Sequence, residues 1–229
     1  MIDDKLVNTS LVMLAKQIIA RLELAKLGYY KRNPTEKTGV NLVKKIYHEE
    51  KNVLFYPGEL LNVWTQALIM KDQGAFAEVG VFRGASAKLI CEAKGKTPLY
   101  LFDTFRGLPE VGKKDARFKK GLFTADEQLV RQRLKKYPKV KIYPGYFPDT
   151  AGPISRLRFS FVHLDVDLQD STNEALKFFY PRMIPGGRIL SHDYGQNEGV
   201  WRAFNDFIKG KPEKLQPMET TQVLLIKKL

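Results

Sequence analysis

The sequence predicts an α/β protein, with a largely parallel sheet covered by helices on both faces and a helical segment ahead of it. Three observations carry this. From Ala75 onward, short apolar runs alternate with amphipathic stretches, the texture of strand–helix–strand crossovers. Before Ala75 the apolar residues recur at helical spacing and no strand-like run occurs. The 229 residues are 44% hydrophobic and 28% charged, enough to bury a core. No apolar stretch nears the roughly 18 residues that span a bilayer.

Residues 1–73 are expected to form a helical cap or oligomerisation segment, and 74–229 the α/β domain. The opening "MIDDKLVNTS" is too acidic and polar for a secretory signal. Leu11, Leu14, Ile18, Leu22 and Leu27 recur near a 3.6 period, with Lys16, Arg21 and Lys26 elsewhere on the wheel. "YYKRNPTEKTG" interrupts that pattern with Pro and Gly. "GELLNVWTQALIMKDQG" resumes it and stops at Gly74. The predicted strands are "AFAEVGV", "TPLYLFD", "VKIYPG", "FSFVHLDVD", "GGRILSHD" and "TQVLLIKKL". The helices between them are "GASAKLICEAKG", "TADEQLVRQRLKKYP", "DSTNEALKFFYPRM" and "GVWRAFNDFIKG". The segment from Arg106 to Phe123 is long and polar enough to be a lid. Cys91 is the single cysteine, so neither an internal disulfide nor a cysteine-rich zinc site is expected, and the plain reading is a cytoplasmic protein.

The net charge of +13 is concentrated. Between Lys113 and Lys141 eleven Lys or Arg face three acids, Asp115, Asp126 and Glu127. Such a block can attract RNA, phosphorylated molecules or anionic lipid, but it is more often a solvated face. Phe118, Phe123 and Tyr137 lack the spacing of a base-stacking platform. Neither a nucleic-acid nor a membrane partner is expected.

In an open parallel sheet, ligands bind beyond the carboxyl ends of the strands. The first strand ends in Glu78, then Gly80 and Gly84, and runs into a helix. Glycines let backbone approach a ligand, and amides at a helix start favour an anionic group. A dinucleotide fingerprint would need a third glycine, and bulky Phe82 and Arg83 stand between these two. The turn suits a nucleoside with an amino-acid tail better than a pyrophosphate. Asp103 ends the second strand, where an acid can hold ribose hydroxyls. Asp165 and Asp193 end the fourth and fifth strands, and two carboxylates in one cleft call for a cation or a shared proton. Asp170 reads as a helix N-cap, Asp167 as a supporting or loop-capping group, and His163 as a structural strand residue.

The motifs "AEVGVFRGASA", "LFDTFRGLP", "GYFPDT", "FVHLDVDLQDST" with "ALKFFYPRMIPGG", and "SHDY" follow one another in a known order. The chain resembles class I S-adenosylmethionine-dependent methyltransferases, most closely the macrocin O-methyltransferase (TylF-type) family, from about Tyr56 to Tyr194 and more loosely to the C-terminus. The resemblance implies a Rossmann-like seven-stranded sheet whose last strand is antiparallel. It implies that Glu78, Gly80 and Val81 lie along the methionine part of the cofactor, and that Gly84 and Ser86 open the helix beneath it. Asp103 would hold the ribose, with Thr104 and Phe105 flanking the ribose and adenine, and Gly145 and Phe147 would line the adenine pocket. Asp165, beside the methyl group, would act with His192 and Asp193. The family's metal-dependent members hold a divalent ion such as Mg²⁺ at this point, with two adjacent acids where this chain has His192-Asp193. A His ligand shifts preference toward softer ions; alternatively His192 is a general base and no metal is needed. The implied activity is O-methylation of a hydroxyl on a sugar or natural product. The alternatives are a macromolecular (RNA) methyltransferase using the basic block, and a non-catalytic S-adenosylmethionine-binding protein.

Overall fold

The computed structural model describes residues 10–29, 33–50, 53–218 and 220–228; the polar start lies outside them. Three helices come first: α1 (Ser10–Tyr29), α2 (Pro34–Glu49) and α3 (Pro57–Ile69). Strands and helices then alternate: β1 (Ala75–Val79), α4 (Ala85–Ala93), β2 (Leu99–Asp103), α5 (Glu127–Leu134), β3 (Val140–Pro144), β4 (Phe159–Leu164), α6 (Gln169–Phe179), β5 (Met183–Ser191), α7 (Glu198–Ile208), β6 (Leu215–Pro217) and β7 (Val223–Ile226). The seven-stranded sheet has the order β3-β2-β1-β4-β5-β7-β6. β1 to β5 are parallel, and β7 inserts antiparallel between β5 and β6. Winding reverses between β1 and β4, which opens a crevice at their carboxyl ends.

Side chains alternate across the sheet, as a period of two requires. Phe76, Leu101, Phe161 and Leu224 face one apolar cluster, shared with α2, α3 and α4. Ala77, Phe102, Val162 and Leu225 face the other, shared with α6 and α7. Leu60, Val63, Trp64 and Ala67 of α3 sit in the first cluster beside Phe76. The core therefore runs unbroken across the expected boundary at residue 74.

The N-terminal segment differs from its expected form in two ways. The Pro and Gly of "NPTEKTG" do not interrupt structure but build α2. Pro34 takes the first helical position, where its missing N–H costs nothing, and Asn33 and Glu36 form a reciprocal capping box. Gly39 sits mid-helix because Trp64 lies against it: a Cβ there would stand 2.5 Å from the indole. Ile18 and Leu22 of α1, expected on a packed stripe, are exposed in this chain; Leu11 and Leu14 fall where no side chain is described. Strand β6 gave no apolar run, being three residues long, half exposed and closed by Pro217.

The predicted lid is an ordered hairpin. Arg106 bridges to Thr124, the Leu108 N–H donates to Leu122 O at 2.8 Å, and the Gly121 N–H donates to Leu108 O at 2.9 Å. Its middle is pinned by buried Asp115, whose Oδ2 accepts the Gln169 N–H at 2.9 Å. That contact also corrects the expectation for Asp170. The residue before α6 is Leu168, Asp170 lies exposed in the first turn, and a first-turn amide is taken by Asp115 instead.

Candidate active site

A pocket of about 320 Å³ opens at the switch between β1 and β4. One wall is the glycine turn after β1. Gly80 has φ +84°, and a Cβ there would stand 1.8 Å from the Asp165 carbonyl oxygen. The glycine thus admits the end of β4 as well as a ligand. Asp103 braces this wall: Oδ2 accepts the Val81 and Phe82 N–H groups, both at 2.7 Å, and Oδ1 accepts the Phe105 N–H at 2.7 Å. Phe82 and Phe105 both hold positive φ, 49° and 55°. Such conformations are costly for aromatic residues and persist where the surroundings fix them.

Of the residues predicted to bind the cofactor, Gly80, Val81, Asp103, Thr104, Gly145, Phe147 and Asp165 line this pocket. Glu78, Gly84, Ser86 and Phe105 do not line it. Gly84 is the left-handed N-cap of α4. Ser86 is buried in the first turn of that helix. Glu78 is fully buried, its Oε1 2.8 Å from His163 Nδ1, and burial raises its carboxyl above the usual range in spite of that partner. His163 is thus a buried strand residue, as expected.

The predicted chemical cluster is assembled at the other wall. His192 Nδ1 lies 3.2 Å from Asp165 Oδ1 and 3.1 Å from Asp193 Oδ1, while Nε2 lies 3.0 Å from Glu59 Oε2. Burial opposes charge on the imidazole, but Asp165 and Asp193 outweigh it and hold the proton well above the usual histidine range. The same imidazole and the amide of Gln196 keep buried Asp193 ionised, below its ordinary value. Asp167 goes the other way: burial and the charges of Asp193 and Asp165 drive its carboxyl well up. Asp167 and Asp193 both have positive φ, 57° and 64°. Positive φ thus recurs on residues of this site, Phe82 and Phe105 included.

Asp165, His192 and Asp193 each offer one ligand atom, all within 4.8 Å of one another. Nδ1 stands about 3 Å from each carboxylate through a proton that an ion would have to displace; with that proton gone, the set offers two oxygens and one nitrogen, donors that suit a divalent metal of mixed preference.

Two residues of this site, Glu59 and Phe55, gave no signal in the sequence. Glu59 comes from α3 and Phe55 from the segment before it, its ring 4.7 Å from that of His192. Arg117 of the hairpin lines the mouth and donates to Gln196 O at 3.0 Å. The rest of the basic block is partly neutralised locally, with Arg131 on Glu127, Arg133 on Glu50, Lys136 on Glu92 and Lys120 on Glu110. No helix among the described residues is long and apolar enough to cross a membrane.

A family model described as macrocin O-methyltransferase (TylF) matches residues 59–224. An 8-demethyl-8-(2,3-dimethoxy-alpha-L-rhamnosyl)-tetracenomycin-C 4'-O-methyltransferase from Streptomyces olivaceus is 32% identical over 138 residues, covering 53% of this chain and 53% of that protein. Demethyldecarbamoylnovobiocin O-methyltransferase from Streptomyces niveus is 28% identical over 141 residues, again 53% of each. The chain spans about half the length of the curated relatives it matches. The solved O-methyltransferase NovP superposes with a TM-score of 0.69 at 20% identity, over 96% of this chain and 99% of that one, a likeness of fold.

Proposed function

The chain belongs to the macrocin O-methyltransferase family, and on that premise we propose that it transfers a methyl group from S-adenosylmethionine to a hydroxyl of a small-molecule acceptor, a sugar or natural product. One observation carries the reading. The pocket at the strand switch joins a glycine turn braced by Asp103 to an acidic cluster built from two neighbouring strand ends. The printed names of the two Streptomyces relatives, both O-methyltransferases, support a hydroxyl acceptor.

S-adenosylmethionine, when bound, supplies an electrophilic methyl on a cationic sulfur. Gly80 and Val81 would receive its methionine part, Asp103 and Thr104 its ribose, and Gly145 and Phe147 its adenine. The carboxylates of Asp165 and Asp193 favour a positive centre at the cleft. Alignment of the acceptor oxygen with the methyl supplies most of the rate. Asp165, whose side chain is 23% exposed and the most open of the three, is the group we assign to take the hydroxyl proton. His192 already faces carboxylates from both ring nitrogens, which favours a supporting role over that of free base. A divalent ion on Asp165, His192 and Asp193 would lower the cost of that deprotonation.

Calorimetry with S-adenosylhomocysteine tests the cofactor half, with low-micromolar or tighter binding expected; an absence of binding ends the reading. A chelator tests the metal. Loss of turnover with cofactor affinity intact supports an ion at the cluster, and full turnover in the chelator removes it.

A further inference from the structure

We propose that Arg117 is an anion-binding residue of the acceptor pocket, so that the acceptor carries an oxyanion, a phosphate or a carboxylate, close to the hydroxyl that receives the methyl group. Four observations converge. Arg117 lines the pocket from the hairpin, its guanidinium 4.7 Å from the centre of the Phe118 ring and one N–H donated to Gln196 O at 3.0 Å. Those contacts leave most of its N–H donors unspent. Among the described residues it has no carboxylate partner. The pocket's other arginine, Arg83, differs: it lies over Phe82 at 5.2 Å, and its charge acts on the Glu50 carboxyl.

Holding an exposed arginine still costs side-chain entropy, and the hairpin does not need it. Asp115 and the Leu108 backbone bonds already fix the segment. A planar guanidinium set against a ring and a carbonyl is the group that grips a phosphate or carboxylate through paired N–H donors. The surrounding charge points the same way. Residues 106–124 carry six Lys or Arg against two acids, a field that draws an anion toward the mouth.

The arrangement also sets an orientation. Gln196 gives its carbonyl to Arg117 and its side-chain amide to Asp193, so one residue separates the guanidinium from the acid cluster. An anionic group is repelled by Asp165 and Asp193 and held by Arg117. The acceptor then lies with its charge at the mouth and its hydroxyl at the acids. The part played in methyl transfer rests on the function proposed above, whereas the binding of an anion at Arg117 does not.

Calorimetry on the full chain, with and without saturating S-adenosylhomocysteine, tests this with glucose 1-phosphate, glucuronate and the neutral methyl glucoside. An anionic probe should bind about 10-fold tighter than methyl glucoside, or better, and the preferred anion tells phosphate from carboxylate. Arg117→Ala should weaken that probe by about 10–100-fold, as the loss of hydrogen bonds to a charged group implies. S-adenosylhomocysteine affinity and the melting profile should hold. Arg117→Lys, which keeps the charge but not the fork, should restore only part of the affinity. Equal binding of the three probes, binding of neither anion, or an anion that binds Arg117→Ala as tightly as native protein overturns the proposal. Native protein that holds an anion through Arg117 but binds no S-adenosylhomocysteine counts against the function proposed above and leaves the anion site standing.

Discussion

The Cα of Gly80 faces the backbone carbonyl of Asp165 so closely that a Cβ would lie 1.8 Å from its oxygen. The glycine-turn wall and the acid wall are therefore in direct backbone contact. Gly80→Ala must strain a φ of +84° and push the end of β4 away. We expect a loss of about 2–4 kcal/mol from left-handed backbone and overpacking combined, seen as a lower denaturant midpoint. Weaker S-adenosylhomocysteine binding should accompany it. A variant of native stability would show that this contact relaxes freely.

Asp103 holds three backbone amides, so its substitution acts on the wall before it acts on any ligand. Asp103→Asn keeps the shape but loses charge and acceptors. Cofactor-product affinity should drop by about 1.5–3 kcal/mol, the usual worth of hydrogen bonds to a charged group. Calorimetry on protein with an unchanged melting profile checks this. Undiminished affinity would confine Asp103 to bracing the turns.

Asp115 ties the hairpin to the start of α6. Asp115→Ala should free the hairpin without melting the sheet. Amide exchange should accelerate across residues 106–124, and the acceptor KM should rise while cofactor affinity holds. Exchange in that segment as slow as in the native protein would refute the pin.

Glu213 lies buried between Tyr180 and Lys227. Burial alone would raise its pKa, but hydrogen bonds from Tyr180, Lys227 and the Lys228 amide bring it down to about 2. A carboxyl depressed on folding adds stability above its unfolded pKa of 4.5 and loses it as the pH falls toward about 2. Native protein should therefore exceed Glu213→Gln by on the order of 2–3 kcal/mol at pH 7. The gap should close on acidification from about pH 4.5 to 2. A gap independent of pH over that interval would contradict the coupling.

The six longer strands were legible because each is an apolar run bounded by turn residues, and Asp165 and Asp193 were brought together because β4 and β5 are neighbours. Helix α2 was hidden by Pro34 and Gly39, although the Asn33–Glu36 capping box was present in the letters. Asp170 misled because a polar run at a helix start resembles a cap, while the actual acceptor, Asp115, is 54 positions away. Glu59 could not be found for the same reason: nothing near it in the chain marks His192, just past the end of β5, as its partner. Local patterning reports what a segment becomes, and contacts across the chain decide what it touches.

The chain carries two tryptophans in opposite surroundings. Trp64 is 4% exposed beneath Gly39 of α2, and Trp201 is 48% exposed on α7. Its fluorescence is therefore the sum of one shielded and one wetted indole. Iodide should quench Trp201 first. Lifting α2 away would expose Trp64 and redden the emission while the backbone of the sheet kept its circular dichroism. The close fit between a glycine and an indole makes the docking of the N-terminal helices optically readable without a label.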